Sequence, residues 1–375
     1  MGSYKIQFVD PAKNYQFIKN EIDEAYFDVM AKGDLVNRGQ LKSFEENLAK
    51  FVGTKYAVGL NSGYDALHIS LLAAGIGPED EVIVPAHTFL ATCSAVVNTG
   101  AKPVLVDVGK DFNIDCNKIE EAITSNTRGI IPVHLSGYMA DMVRVMEIAR
   151  RYNLVVIEDA CQSLGSSMLN PSGGRRMAGA WGFTGCWSFY PFKILGAYGD
   201  GGAITTDNSN VALFARRMRY NGEDRDTGEY HGHGFTCLLD NMQAAFLDVK
   251  LRYLPQWIIR RKNIAERYRK ALSDLLDLML PHYDDTRRDH VYQNYTLRSK
   301  QGNDFSEFMK ANGVEVLTQF RKPYYKHKAL NLEDRGFPET EALSREVCSL
   351  PMNLEITDEE VDYVISVVRK FYEID

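Results

Sequence analysis

A single lysine, Lys193, lies between an aromatic approach and a glycine-rich exit, in the stretch GCWSFYPFKILGAYGDGG at residues 185–202. A setting of this kind excludes water from an ammonium group and lowers its pKa, which lets a lysine act as a nucleophilic amine. A surface lysine in a loop is the alternative interpretation of any lysine taken alone. The motifs elsewhere in the chain decide between the two.

The first of these motifs is a small turn, NSGYDAL at residues 61–67, which passes from a predicted strand into a predicted helix. Free backbone amides and the positive end of the helix dipole at such a turn suit a phosphate group. A helix cap formed by Ser62 or Asp65 is the alternative. The turn by itself leaves both interpretations open.

The second motif, PAHTFLAT at residues 85–92, follows the next predicted strand. Its Phe89 is placed either to stack on a planar ligand or to belong to the core, and His87 fits a structural histidine. Farther along, Ser188 precedes Lys193 by five residues. Its hydroxyl is therefore close enough to join a phosphate site beside the lysine.

The third motif is an apolar predicted strand, residues 154–158, whose exit carries two acids, Glu158 and Asp159. A carboxylate is costly to bury without a partner, and a protonated ring nitrogen of a ligand would supply one. A cap on the following turn is the alternative. His231 and His233 have no carboxylate or thiol at a suitable spacing nearby, so no metal site is predicted.

These motifs are positioned by strands that alternate with amphipathic helices, a pattern that predicts an α/β fold. Because the strands are almost continuously apolar, we expect a mainly parallel seven-stranded sheet with helices on both faces. Ligands of such sheets bind at the carboxyl ends of the strands. The predicted strands are 56–60, 81–85, 103–107, 129–133, 154–158, 184–189 and 202–206, with helices at 14–32, 38–52, 64–74, 88–99, 116–124, 139–152 and 208–220.

A long predicted helix, residues 240–275, connects this sheet to the rest of the chain. The remainder mixes a strand at 292–298 with helices at 303–312, 339–347 and 357–373, which is typical of a compact α+β domain. We therefore predict a large domain over residues 1–250 and a small C-terminal domain over residues 251–375.

The composition is that of an ordinary soluble protein, with 45% hydrophobic and 25% charged residues in a chain of 375. The formal net charge of −7 gives no reason to expect a nucleic-acid partner. No apolar run approaches the ~20 residues of a membrane span, and the six cysteines show no CxxC pair. These features predict a cytoplasmic location with free thiols and no membrane partner.

The order of the motifs resembles the DegT-type sugar-nucleotide aminotransferases, which are fold type I enzymes dependent on pyridoxal 5'-phosphate (PLP). The likeness extends from about Phe8 to Phe371. Its most specific segments are GPEDEVIVP at 77–85, EDACQ at 158–162, SFYPFK at 188–193 and GDGGAI at 199–204.

The resemblance implies a role for each motif. Lys193 would be the lysine that binds PLP as a Schiff base, and Asp159 would be the partner of the pyridinium nitrogen. The remaining implied contacts to PLP are Gln162 to the ring hydroxyl, Phe89 to the ring face, and Ser188 with the amides of Gly63 and Tyr64 to the phosphate.

Three positions depart from the family pattern. Tyr64 stands where serine or threonine is usual, and Leu238 replaces an arginine. Thr236 replaces an asparagine that reaches the phosphate across a dimer interface, and its hydroxyl retains the capacity to bind there. The resemblance accordingly implies a homodimer with shared active sites.

The implied reaction moves an amino group from an amino acid, expected to be L-glutamate, to a nucleotide-linked keto-deoxy sugar. Gln162, in place of the histidine common among 4-keto sugar enzymes, favours C3 over C4. Tyr190, Asn221 and Tyr325 are the predicted sugar contacts. The alternatives are a PLP-dependent sugar dehydratase, which carries histidine in place of the lysine, and a non-catalytic nucleotide-sugar-binding protein; Lys193 and Asp159 together favour the aminotransferase.

Overall fold

The computed structural model describes residues 4–281 and 285–372. Its strands are β1 Tyr56–Leu60, β2 Glu81–Pro85, β3 Lys102–Val106, β4 Thr127–Ile130, β5 Val155–Asp159, β6 Ser167–Leu169, β7 Arg175–Met177, β8 Thr184–Ser188, β9 Gly202–Thr206, β10 Leu278–Met279, β11 Arg288–Asp289, β12 Tyr295–Ser299 and β13 Val347–Leu350. Its α-helices are α1 Pro11–Phe17, α2 Lys19–Lys32, α3 Gly39–Val52, α4 Gly63–Ala73, α5 Leu90–Val97, α6 Cys116–Ile119, α7 Met142–Tyr152, α8 Ser209–Met218, α9 Asn241–Leu272, α10 Gly302–Ala311, α11 Pro338–Glu346 and α12 Asp358–Tyr372. Short 3₁₀ turns occupy Glu120–Ala122, Leu135–Gly137, Tyr324–Lys326 and Lys328–Leu330.

Seven strands form the main sheet in the order β1-β9-β8-β5-β4-β2-β3. All of its pairings are parallel except those of β9, which runs antiparallel to both β1 and β8. The predicted fold class is confirmed, and all seven predicted strands are present with ends that differ by a few residues. The carboxyl ends of the six other strands therefore lie at one edge of the sheet.

Both faces of this sheet are buried, which explains why its strands are apolar at successive positions. In β2, Ile83 packs in the core formed with α3, α7 and α9, whereas Val82 and Val84 pack in the core formed with α4, α5 and α8. The helices thus cover both faces as predicted. The helix predicted at 14–32 is divided at Ile18, which leaves helical geometry at φ −121° and ψ 25°.

The C-terminal part has a core of its own around the three-stranded sheet β10-β12-β13. Helix α9 belongs to both cores, because Leu251 and Leu254 pack with the main sheet while Ile264 and Tyr268 pack with the C-terminal sheet. The division at residues 250 and 251 remains a prediction. Within the described ranges, no helix combines the length and apolar character needed to cross a membrane.

Candidate active site

The carboxyl ends of β1, β5 and β8 bring three of the predicted motifs together. Gly63 follows β1, and a Cβ atom built on it would lie 2.9 Å from Cβ of Ser188 and 2.7 Å from Sγ of Cys161. Only glycine fits at this close approach, which juxtaposes the phosphate turn with the ends of the other two strands.

Lys193 lies in the turn that follows β8, where its amide donates to the carbonyl of Tyr190 at 2.8 Å. Burial lowers the pKa of its amine, and the nearby Cys161 and Asp159 oppose this shift. The lysine lines a narrow cavity together with Cys161, Gln162 and Ser188. A lysine in this position is a candidate nucleophile rather than a solvated loop residue.

Asp159, at the end of β5, is 6% exposed and held from two sides. Thr92 Oγ1 donates to Asp159 Oδ2 at 2.7 Å, and the amide of Cys161 donates to Oδ1 at 3.2 Å. Oδ1 of Asp159 therefore caps the following turn, which was the alternative prediction for this residue. Oδ2 is oriented by Thr92. Thr92 is in turn 3.0 Å from the hydroxyl of Thr88.

The adjacent acid, Glu158, has a structural role. It is fully buried and accepts from the amides of Gly179, Trp181 and Gly182 at 2.6–2.9 Å. Its Oε2 also lies 3.0 Å from Nε2 of His134. Because successive strand residues point to opposite faces, only one acid of this pair is directed to the site.

The phosphate turn retains free donors even though Ser62 caps the helix. Ser62 Oγ accepts from the amide of Asp65 at 3.1 Å, so the capping interpretation is correct for this side chain. The amides of Gly63 and Tyr64, in the first turn of α4, have no partner inside the helix. The phenol oxygen of Tyr64 accepts a hydrogen bond from the Asn98 side chain. This bond does not use the phenol proton, so the turn offers the backbone amides and the Tyr64 hydroxyl as donors to an anion.

Gln162 is oriented by the backbone of a neighbouring loop. Its Oε1 accepts from the amide of Ser136 at 2.7 Å, which assigns the two ends of the carboxamide. The NH₂ group of Gln162 consequently remains as a donor at the cavity that Lys193 lines.

Two aromatic residues among the predicted ligand contacts are largely on the surface. Phe89 is 63% exposed, so it does not belong to the core, and Tyr190 is 48% exposed. The Tyr190 ring packs edge-to-face on Phe192 with a centroid distance of 5.3 Å. Both positions are accessible to a ligand. His87, by contrast, is buried against Phe320, and burial lowers its pKa to about 4.

The structure places the other predicted contacts outside the Lys193 cavity. Thr236 and Asn221 are both exposed and bonded to each other, Thr236 Oγ1 donating to Asn221 Oδ1 at 3.0 Å. Tyr325 is only 3% exposed and packs on Phe337 with a ring-centroid distance of 4.9 Å, so we do not propose it further as a sugar contact. Leu238 forms an isolated antiparallel β-bridge with Leu60, and its side chain packs against the hydrophobic core.

Three residues that hold groups at or near this site were not predicted from the sequence. Thr92 lies within the motif after β2, but a threonine at this position does not by itself predict a hydrogen bond to Asp159. Lys250 of α9 is buried, donates to the carbonyl of Gly196 at 2.7 Å and has a pKa lowered by burial to about 7. The third, Gln293, contacts the backbone beside Lys193 from a distant part of the chain. No local pattern predicts such contacts.

The donor set fits PLP in each of its parts. The free amides of α4 and the Ser188 hydroxyl suit a phosphate, and the oriented Asp159 carboxylate suits a protonated ring nitrogen. Gln162 offers a donor, and Lys193 offers an amine of lowered pKa. Within residues 4–281 and 285–372, no group of three histidine, cysteine, aspartate or glutamate side chains suits a metal ion.

Comparison with known structures defines the class of protein. DesV from Streptomyces venezuelae, solved in complex with a ketimine intermediate, superposes with a TM-score of 0.94 at 35% identity, and 100% of each chain is covered. The fold and the site together are those of a fold type I aminotransferase.

Sequence comparison then gives the family. A family model of the DegT/DnrJ/EryC1/StrS aminotransferases matches residues 16–369, so the chain belongs to this family and the resemblance is confirmed. A relative from Geobacillus stearothermophilus, named pleiotropic regulatory protein, is 36% identical over 372 residues, covering 98% of both chains. A dTDP-3-amino-3,4,6-trideoxy-alpha-D-glucose transaminase from Streptomyces venezuelae is 36% identical over 374 residues, covering 98% of this chain and 97% of the relative. The family is PLP-dependent, which confirms the predicted cofactor.

Proposed function

We propose that this aminotransferase moves an amino group from L-glutamate to a nucleotide-linked keto-deoxy sugar, at C3 rather than C4. The observation that carries the proposal is the placement of Lys193, with its lowered pKa, in the cavity beside the end of β5, where Thr92 orients Asp159. The name of the Streptomyces venezuelae relative, which specifies an amine at C3 of a dTDP sugar, supports the substrate class.

Each side chain has a defined task in this proposal. PLP supplies an electron sink for the carbanion formed on the substrate. Lys193 would hold the cofactor covalently, and its Nζ, when free, would move a proton to and from the α-carbon of the donor. Asp159 would keep the ring nitrogen protonated through a charge-assisted hydrogen bond.

The remaining residues hold the cofactor in place. The Gly63 and Tyr64 amides and the Ser188 hydroxyl would bind its phosphate, and the Gln162 NH₂ group would donate to the ring hydroxyl. Phe89, which is exposed on this chain, would contact the ring face. Tyr190 and Asn221 remain proposed sugar contacts because both are accessible.

The reaction is tested by identifying the covalent site and the product. Borohydride reduction of the PLP-loaded protein is expected to fix the cofactor on the peptide that contains Lys193, as read by mass spectrometry. Incubation with glutamate and matched 3-keto and 4-keto nucleotide sugars is expected to yield a product whose NMR spectrum places the amine at C3. A label on another peptide contradicts the assigned lysine, and a product aminated only at C4 contradicts the position.

The dehydratase and non-catalytic alternatives give different results in the same experiment. A dehydratase would release a sugar that has lost a hydroxyl group and gained no amine, and a binding protein would retain the nucleotide sugar unchanged. Lys193 opposes the dehydratase, because the family resemblance implies a histidine at this position in those enzymes. Lys193 and Asp159 together oppose the non-catalytic alternative, because a binding protein needs neither a nucleophilic amine nor a partner for the ring nitrogen.

A homodimer with shared sites is the proposed assembly. The support is an apolar patch on α2 and the turn after it, where Phe27, Met30, Leu35 and Val36 are all exposed. Sedimentation velocity is expected to show two chains per particle, and Phe27→Glu is expected to shift the distribution towards one. Leu276→Glu, at an exposed leucine outside the patch, is the matched control. A fully active monomer would rule out shared sites.

A further inference from the structure

The backbone on both sides of Lys193 is held by one side chain from the C-terminal part of the chain. Gln293 Nε2 donates to the carbonyl of Phe192 at 2.9 Å, and Gln293 Oε1 accepts from the amide of Ile194 at 2.7 Å. Gln293 is itself buried and lines the same cavity as Lys193. The Gln293 carboxamide therefore binds the backbone on both sides of Lys193.

Gln293 is fixed in turn by a buried arginine and a close backbone approach. Arg261 of α9 donates through Nη1 to the carbonyls of Tyr292 and Gln293 at 2.9 and 3.1 Å. On the opposite side, Gly137 has φ +90°, and a Cβ atom there would lie 2.8 Å from the amide nitrogen of Gln293. The position of the carboxamide is therefore determined by packing rather than by local sequence.

The same segment also supports Gln162. Thr296 Oγ1 lies 2.8 Å from Oγ of Ser136, whose amide donates to Gln162 Oε1 at 2.7 Å. The amide of Asn294 donates to the carbonyl of Ser136 at 3.4 Å. One short stretch of chain thus reaches both Lys193 and Gln162.

We infer that Gln293 is a positioning residue for Lys193: its carboxamide holds the Phe192–Ile194 backbone so that the lysine amine stays directed into the cavity. This inference rests on the proposed role of Lys193 as the covalent anchor of PLP. Only a carboxamide supplies one donor and one acceptor at this spacing. A carboxylate would retain the acceptor for Ile194 but would place a negative charge against the Phe192 carbonyl.

Two substitutions of Gln293 test the inference in the full-length chain. Gln293→Met keeps the volume but removes both hydrogen bonds, and it is expected to raise the dissociation constant of PLP about tenfold, which corresponds to ~1.4 kcal/mol. It is expected to lower kcat by a similar factor while the KM for glutamate stays unchanged. Gln293→Glu adds a carboxylate to the cavity that Lys193 lines, in addition to Asp159, and is expected to raise the pKa of Lys193.

The pKa is read without cofactor, from the pH dependence of Lys193 acylation by acetic anhydride, followed by peptide mass spectrometry. Gln243→Met is the matched control, because Gln243 Oε1 accepts from the amide of Tyr198 at 2.8 Å in the same loop without bracketing the lysine. If both Gln293 variants match this control in PLP affinity and in Lys193 titration, the positioning role is overturned.

The proposed role of Lys193 and the positioning role of Gln293 predict different combinations of results. If borohydride labels Lys193 in the unsubstituted protein but the Gln293 variants behave like the Gln243→Met control, only the positioning role of Gln293 is rejected. Absence of label from Lys193 in the unsubstituted protein removes the proposed anchor, and the inference about Gln293 fails with it.

Discussion

Replacing Lys193 by alanine is expected to abolish transamination, with a loss of about four orders of magnitude or more in kcat. The variant loses both the covalent link to the cofactor and the proton carrier. Lys250, a buried lysine near this loop, cannot substitute, because its Nζ donates to the carbonyl of Gly196 and lies 3.6 Å from the Tyr198 ring centroid. Turnover is measured by glutamate-dependent formation of the amino sugar.

The same variant is expected still to admit PLP or a preformed adduct of PLP with the amino sugar, since Ser188, Asp159 and the α4 amides are intact. Lys193→Arg provides the matched control for charge: it keeps a cation but no nucleophilic amine, so it should be equally inactive. Normal transamination by either variant would refute the assigned mechanism.

The second large effect is expected from Asp159→Asn, which should lower kcat by about three orders of magnitude. Asparagine retains the size of the side chain and an acceptor for Thr92, but it lacks the negative charge that keeps a ring nitrogen protonated. The NH₂ group then faces only the Cys161 amide, whose hydrogen bond to Oδ1 is 3.2 Å long. Thermal stability should therefore fall much less than kcat. The measurement is kcat with saturating PLP, alongside the thermal midpoint of unfolding.

Two comparisons sharpen this second test. Reconstitution of Asp159→Asn with N-methylated PLP, whose ring nitrogen carries a permanent positive charge, is expected to restore part of the activity. Glu158→Gln, one residue earlier, should instead lower thermal stability, because one carboxylate oxygen becomes an NH₂ group. That group then faces either the Gly179 amide or the amides of Trp181 and Gly182. Wild-type kcat in Asp159→Asn would contradict the role of this carboxylate.

Several features of the site could not be read from local sequence. The antiparallel direction of β9 is one, because a buried strand has the same apolar pattern in either direction. The exposure of Phe89 and the burial of Tyr325 are others, since an aromatic residue is compatible with a core or a ligand surface until its neighbours are known.

The sequence by itself determined the α/β class, the positions of the seven main strands and the motifs that end at their carboxyl edge. These properties depend on short-range periodicity and on turn chemistry, which neighbouring residues encode. It also singled out Lys193, because its aromatic and glycine-rich setting is contiguous in the chain.

Only the tertiary structure decided how the groups are oriented. It directed Asp159 into the site and Glu158 away from it, joined Thr92 to the aspartate, and brought Gln293 to the backbone on either side of Lys193. These contacts link residues far apart in sequence, so packing rather than local pattern determines them.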